Sequence, residues 1–488
     1  MGVLGDGVRR SAGAAWVSAS AVMAVVVAAH AVPSPPPAGL APMQSPGQAP
    51  AGGPGTPARD EPAGTPASVS GPSPAWCDHV VELSARRRSG VVTARLANGV
   101  LVHHRRVERS AGQVDVTITL QGGESLEDAG TRGLTQVLAS VMDDYAAAAP
   151  LAAPAARLDR RDAHVDASGA ADSLQLRVWG AAADLDAMLS VAAELLTSPR
   201  ITPEGVEAAK EAVIAEARRR EGDHRAAVGD AVVDAIFPKG EARARPVDER
   251  QVRGVTPERV RAWAERHLSA GGAPVEVGVS GDIPLEAALR VVDARLGGLP
   301  ARAAPARLEI AGAPRRPAGP VTAESRSPQV GRKAAVVRGC FAPDLDATGD
   351  LRALRVAARV LTDRLKKKLA PAAFGAGPDG PGASVLLSVY PGFGMLAASA
   401  SVEDSQAERA GREMEEELAR LADGGPEPEE VAQAAGALAR IVEGFERDPR
   451  YWSGMLSRSV GLGLDPDMVV DGPAAYRAMD AARVRDVL

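Results

Sequence analysis

Aromatic side chains are scarce in this chain: 5 Trp, 5 Phe and 4 Tyr in 488 residues, 3% of the total. Cores of large stacked rings are thereby excluded, and Ala, Val and Leu must fill whatever interior the chain builds. Cysteine is scarcer still, with Cys77 and Cys340 the only two. Thiols so far apart make neither a local metal knuckle nor a disulfide framework. One long-range bridge in an oxidising compartment and two unpaired thiols both stay open. The 7 histidines include no pair one helical turn apart. A positive surplus is absent too: the formal net charge is −6, which gives no basic footprint for nucleic acid, and no strongly acidic tail appears.

What is present is ordinary for a globular protein. Hydrophobic residues make up 45% and charged residues 24%, enough to bury a core. The length prior gives about three units, two of them sizeable domains. At the N-terminus, Arg9 and Arg10 precede an apolar run from Ala14 to Ala29, which ends in Ala29-His-Ala31. That order is the pattern of a secretory signal peptide over residues 1–31. The alternative is an uncleaved anchor, with membrane contact only through residues 11–29, although the run falls short of the roughly 20 residues that span a bilayer. Residues 32–75 are Pro, Gly, Ala and Ser with almost no large apolar residue, and are expected to be a disordered tether.

From Trp76 the periods become regular. A short mixed segment, Trp76 to Arg88, precedes a hairpin whose turn is Asn98-Gly99. Val114–Leu120 alternates as a strand, and Gly130–Met142 carries Leu134, Val137, Leu138, Val141 and Met142 at helical spacing. A strand at Leu174–Val178 and a helix at Asp184–Leu196 follow. Thr202-Pro203-Glu204 and Thr256-Pro257-Glu258 open two helices with the same cap logic. Val275–Val279 is a strand that ends in Ser280-Gly-Asp282. Residues 302–327 break every period and read as an inter-domain linker. Beyond it come a helix at Leu351–Leu369, strands at Ser384–Val389 and Met395–Ser401, and helices at Glu408–Leu421 and from Pro428. This mixture argues for an α+β fold.

The two halves overlay at an offset near 225 residues. Pro203-Glu-Gly-Val206 falls on Pro428-Glu-Glu-Val431, Glu221-Gly-Asp223 on Glu446-Arg-Asp448, Arg259-Val-Arg261 on Arg483-Val-Arg485, and Val137-Leu138 on Val360-Leu361. Four short matches in one order imply a duplicated domain, over residues 76–301 and 328–488. The counterpart of strand Val275–Val279 is missing after Arg483–Leu488, so the second domain is expected to lack its last strand.

The pieces so far resemble the pitrilysin/insulinase family of zinc peptidases, in its bacterial two-domain form. Leu96-Ala-Asn-Gly-Val-Leu-Val102 is similar to the family's opening hairpin. Gly122-Gly-Glu124 with Glu127, then Gly133-Leu134, resembles the approach to its metal helix, and Pro199 with Lys210–Glu216 resembles its second ligand helix. Ser280-Gly-Asp282 and Tyr451-Trp452 resemble its domain-closing turn and a pair in its second domain. The resemblance implies two tandem lobes, each a mixed or antiparallel sheet covered by helices, in a clamshell arrangement.

The family's chemistry needs H-x-x-E-H on one helix: two imidazoles bind zinc and the Glu activates its water. Carried onto this chain, the histidine positions are Gln136 and Ser140, and the base position is Ala139. A helpful Glu position is Ala209, and the third-ligand position, Glu216, is retained. An amide and a hydroxyl are poor zinc ligands, and a methyl group takes no proton. His79, His103, His104, His164, His224 and His267 read as surface or singly bonded residues. No cofactor is expected, although active relatives hold zinc. The Arg and Tyr that some non-catalytic partner chains supply would fall at Ala370 and Gly377, where neither is present, and Lys366-Lys-Lys368 reads as a solvated helix face.

The resemblance therefore implies an exported, periplasmic or envelope-associated chain without catalysis of its own. Its expected role is partner subunit, or peptide-binding chamber wall, for an active H-x-x-E-H homologue in a heterodimer. Asp166, Ala167 and Ser168 lie where the family adds an extended peptide as an extra strand. The alternatives are a stand-alone envelope scaffold or peptide-binding protein, and an active zinc metalloendopeptidase with displaced ligands.

Overall fold

The computed structural model describes residues 68–71, 75–108, 112–148, 163–221, 223–237, 245–308, 319–324, 333–369 and 382–488. The expected signal segment, residues 1–31, lies outside them. Among the described residues no helix is long and apolar enough to cross a membrane. In chain order the first half holds strands β1 (Ser68–Gly71), β2 (Val80–Arg86), β3 (Val92–Leu96), β4 (Leu101–Arg106) and β5 (Gln113–Gln121), then helix α1 (Leu134–Ala148). β6 (Ala163–Gly169), β7 (Ser173–Ala181), α2 (Leu185–Thr197), α3 (Pro203–Glu221) and α4 (His224–Ile236) follow. α5 (Glu249–Arg253), α6 (Pro257–Leu268), β8 (Val275–Gly281) and α7 (Leu285–Leu296) complete it. The second half holds β9 (Lys333–Ala342), α8 (Thr348–Lys368), β10 (Ser384–Tyr390), β11 (Phe393–Glu403), α9 (Ala407–Gly424) and α10 (Pro428–Glu446). It ends in α11 (Pro449–Leu456), α12 (Ser459–Leu462), α13 (Asp467–Arg477) and α14 (Ala481–Asp486).

The architecture is α+β in two lobes. The first sheet runs β1-β2-β3-β4-β8-β5-β7-β6 and the second β10-β11-β9. The first is mixed, because β8 pairs parallel with β4 and antiparallel with β5. Two expectations are corrected here. Val80–Arg86, read as a mixed segment, is a full strand paired with β3, and Ser68–Gly71, assigned to the disordered tether, pairs with β2. The first residues of the expected linker are also anchored. Arg302 is buried and donates to the carbonyls of Ala273 and Leu268 at 3.1 and 3.3 Å, and Leu308 N donates to Gly461 O at 2.8 Å.

Period-two alternation explains the layering. On β5, Val114, Val116, Ile118 and Leu120 enter the main core with Leu176, Val178, Val275, Val277 and Val279. The intervening Asp115, Thr117, Thr119 and Glu276 are buried too, on the opposite face. What covers them is α11 and the start of α12, from the other lobe. Ser453 Oγ donates to Asp115 Oδ1 at 2.5 Å and lies 3.1 Å from Thr117 Oγ1, while Thr119 Oγ1 bonds Ser457 Oγ at 2.9 Å. Glu276 accepts from Ser459 Oγ and Val460 N, each at 2.8 Å. Trp452 is fully buried, with the Arg105 guanidinium 5.1 Å from its ring centre.

The exchange is reciprocal. α4 of the first half lays Val232, Val233 and Ile236 on the face of the second sheet that carries Val337, Phe393, Met395 and Ala397. α4 and α11 occupy matching places in the repeat, and their N-caps match: Asp223 accepts from Arg225 N at 2.8 Å, and Asp448 from Arg450 N at 2.9 Å. Each lobe thus covers the inner sheet face of the other. On that first sheet His103 and His104 are buried rather than exposed. His103 bridges Thr93 Oγ1 (2.8 Å) and Glu276 (3.1 Å), and His104 Nε2 donates to Ile283 O at 3.0 Å. In the second sheet β9 pairs with β11 alone among the described strands, whereas its counterpart β5 pairs on both edges. Cys77 and Cys340 are both free thiols.

Candidate functional site

The candidate site is the polar face of α1, and its entry is held by carboxylates. Gly133, at φ 88, ends the approach in a conformation that favours glycine. The buried Glu127 then accepts from Gly133 N at 3.0 Å and Thr135 N at 2.7 Å. It satisfies two first-turn donors and sets a negative charge at the positive end of the helix. Arg132, largely buried, donates to Glu127 at 3.1 Å, to Glu124 at 3.5 Å and to Arg245 O at 2.6 Å.

Where the family's first imidazole would stand, Gln136 Nε2 donates to Glu124 Oε1 at 2.5 Å and to Gly169 O at 3.3 Å. Burial pushes the Glu124 carboxyl up, and the Gln136 and Arg132 hydrogen bonds pull it back. Ala139 is buried, and a Cβ on Gly169 would sit 3.5 Å from its methyl, so β6 passes directly over the base position. Ser140 is half-buried. One turn on, Asp143 accepts from Ala167 N at 3.0 Å.

The retained carboxylate does not join this group. The Glu216 side chain is 63% exposed and pairs with Arg219 on its own helix. Ala209, at the helpful-Glu position, is fully buried in the core. Among the described residues no group of three or more His, Cys, Asp or Glu is placed to hold a metal ion. The side chains present do not fit zinc: an amide already bonded to a carboxylate, a methyl, a hydroxyl, and a carboxylate facing solvent. The Ala370 and Gly377 positions lie outside the described residues. Lys368 is bound at 2.8 Å by Glu413 and at 3.3 Å by Glu416, which departs from a merely solvated face.

The expected peptide edge is only partly open. β6 pairs with β7 on one side, and α1 reaches its outer side through Asp143 to Ala167 N and Gln136 to Gly169 O. Ser168 is exposed, and Asp166 is half-buried opposite Arg177. Burial pushes the Asp166 carboxyl up to about 6; Arg177 opposes the shift, and Asp143 and Asp115 add to it. Sequence reasoning missed the parts played by Arg132 and Asp143. No spacing rule ties Arg132 to carboxylates five and eight residues before it, and Asp143 meets Ala167 only through tertiary packing.

A family model described as "Peptidase M16 inactive domain" matches residues 254–438, from just before α6 into α10. No curated protein matches the sequence. Among solved structures, the chain is similar to a peptidase M16 inactive domain from Pseudomonas fluorescens, at 15% identity and TM-score 0.66, covering 81% of this chain and 93% of that one. It is similar to the periplasmic protease PqqL from Escherichia coli at 13% identity and TM-score 0.63, covering 86% of this chain and 45% of that one. It is also similar to pitrilysin at 16% identity and TM-score 0.56, covering 81% and 43%. The chain thus spans nearly the whole of the first structure and about half of each of the others. At these identities the likeness concerns the fold.

Proposed function

We propose that this protein, whose fold is similar to that of M16 peptidase-family structures and of pitrilysin, is an exported non-catalytic partner subunit of that family. It supplies one wall of a peptide-binding chamber whose catalysis belongs to an H-x-x-E-H homologue. One observation carries the reading: the metal-helix positions form a closed hydrogen-bonded group, Arg132–Glu124–Gln136–Gly169, and Glu216 turns to solvent. No general base remains at Ala139, so peptide-bond hydrolysis has no proton acceptor there. The length relation supports a partner. PqqL and pitrilysin are each about twice the span matched here, and a separate homologue would provide the second half.

In this role the first lobe offers the outer edge of β6 around Asp166, Ala167 and Ser168 to an extended peptide, which would add as a strand by displacing the Asp143 bond to Ala167 N. Export rests on the Arg9-Arg10 and Ala14–Ala31 pattern and places the complex in the periplasm or envelope.

The test is co-expression with a homologue that carries intact H-x-x-E-H, followed by co-purification and a peptidase assay. The expected result is a heterodimer that cleaves peptides faster than either chain alone. A homo-oligomer with no co-purifying peptidase would favour a stand-alone scaffold. Stoichiometric zinc in the purified chain, lost on Glu216→Gln, would overturn the non-catalytic reading.

A further inference from the structure

Behind the polar face of α1, between α1, α6 and β5, lies a small cavity. Leu120, Leu138, Leu174 and Trp263 are among its lining, and Thr135, His267 and Gln121 contribute polar groups. Among the described residues, Thr135 Oγ1 and His267 Nε2 are both completely buried and have no hydrogen-bond partner. The two residues come from different helices, and both line the same cavity.

Neither atom is at ease alone. Leaving a buried hydroxyl or ring nitrogen unbonded costs about 1–3 kcal/mol. Thr135, 2% exposed, is also freed from its usual local acceptor: a helical threonine commonly bonds the carbonyl four residues back. His267 packs edge-on against Trp263, with ring centres 4.3 Å apart. Burial, with the Arg266 charge adding to it, pushes its pKa down to about 4, so the imidazole is neutral and one ring nitrogen can accept. The room for a water centre is about 10 Å³, which suits a single molecule.

From this geometry we infer a built hydration site: one ordered water bridges Thr135 Oγ1 and His267 Nε2 and ties α6 to the metal-type helix. The ligand is water and not a larger molecule, because the space is that of one solvent molecule. The bridge sits beside Gln136, in the same helical turn that Glu124 and Gly169 hold.

A crystal structure of the protein at about 1.8 Å tests this directly. The expected result is one density peak within about 2.6–3.2 Å of both atoms. An empty cavity, or a water that reaches only one of the two, would overturn the inference. Melting of Thr135→Val, His267→Phe and the double variant gives an independent reading. If a shared water couples the residues, the double variant melts no lower than the worse single one. Additive drops would mean that no shared bridge exists.

Discussion

Gly278 provides a sharp test of how the lobes dock. It lies in the middle of β8, buried beneath α11, and a Cβ built on it would stand 2.1 Å from Ser453 O and 2.8 Å from Ser457 N. Both are backbone atoms, so no rotamer change relieves the clash. Relief requires α11 to retreat by about 1 Å to reach ordinary contact, and overpacking of this kind costs about 1–3 kcal/mol. The same retreat stretches the bonds from Ser453 to Asp115 and Thr117 and from Ser457 to Thr119. Each such bond is worth about 0.5–1.5 kcal/mol. Against this, alanine is favoured over glycine within a strand by about 0.5–1 kcal/mol. Gly278→Ala should therefore lower stability by about 2–4 kcal/mol, read as an earlier midpoint in urea denaturation. Gly298→Ala, with nothing within 4 Å of the added methyl, is the control and should shift the midpoint little or upward. A Gly278→Ala midpoint equal to or above wild type would refute this docking of α11 on the first sheet.

Other outcomes follow from the same seam and site. Glu276→Ala leaves His103, Ser459 Oγ and Val460 N without their common acceptor and should cost about 3–5 kcal/mol in chemical denaturation. Trp452→Ala empties a fully buried ring site between the lobes and should cost about 3–5 kcal/mol, measured the same way. Gln136→Ala removes a donor from the buried Glu124 and should lower stability by about 1–3 kcal/mol without creating peptidase activity. Asp166→Asn tests a pH dependence. With its folded pKa raised to about 6, Asp166 contributes stability below the ordinary carboxylate pKa and loses it as pH rises through about 6. The amide escapes that loss. The variant should melt higher than wild type at pH 7–8 and equal to it near pH 4, and identical melting curves at pH 8 would contradict the burial argument.

Much of the fold was legible because local physics specified it. Asn98-Gly99 set the hairpin of β3 and β4, with Gly99 at φ 92, and the Thr-Pro-Glu caps opened α3 and α6. The repeat aligned Asp223 with Asp448, but the helices that they cap, α4 and α11, were not read from the sequence. β2 was harder to read, because Val80–Arg86 carries charge and lies toward the edge of the sheet, where alternation weakens. His103 was misread for a similar reason: its strand looks exposed until Glu276 is brought against it. His104, with its one bond to Ile283 O, is the singly bonded residue expected.

By itself the sequence determined that no H-x-x-E-H exists, since residue identity at a helical spacing is a local fact; that Gln136, Ala139 and Ser140 stand in its positions is what the resemblance implies. It also determined the duplication. Only the tertiary structure decided what surrounds those positions: Glu124 and Arg132 closing on Gln136, and Glu216 turned outward. It alone decided that each lobe covers the inner sheet face of the other through α4 and α11. Those outcomes depend on which surfaces meet across more than 300 residues of chain, as for Thr117 and Ser453, and no local period encodes such a meeting.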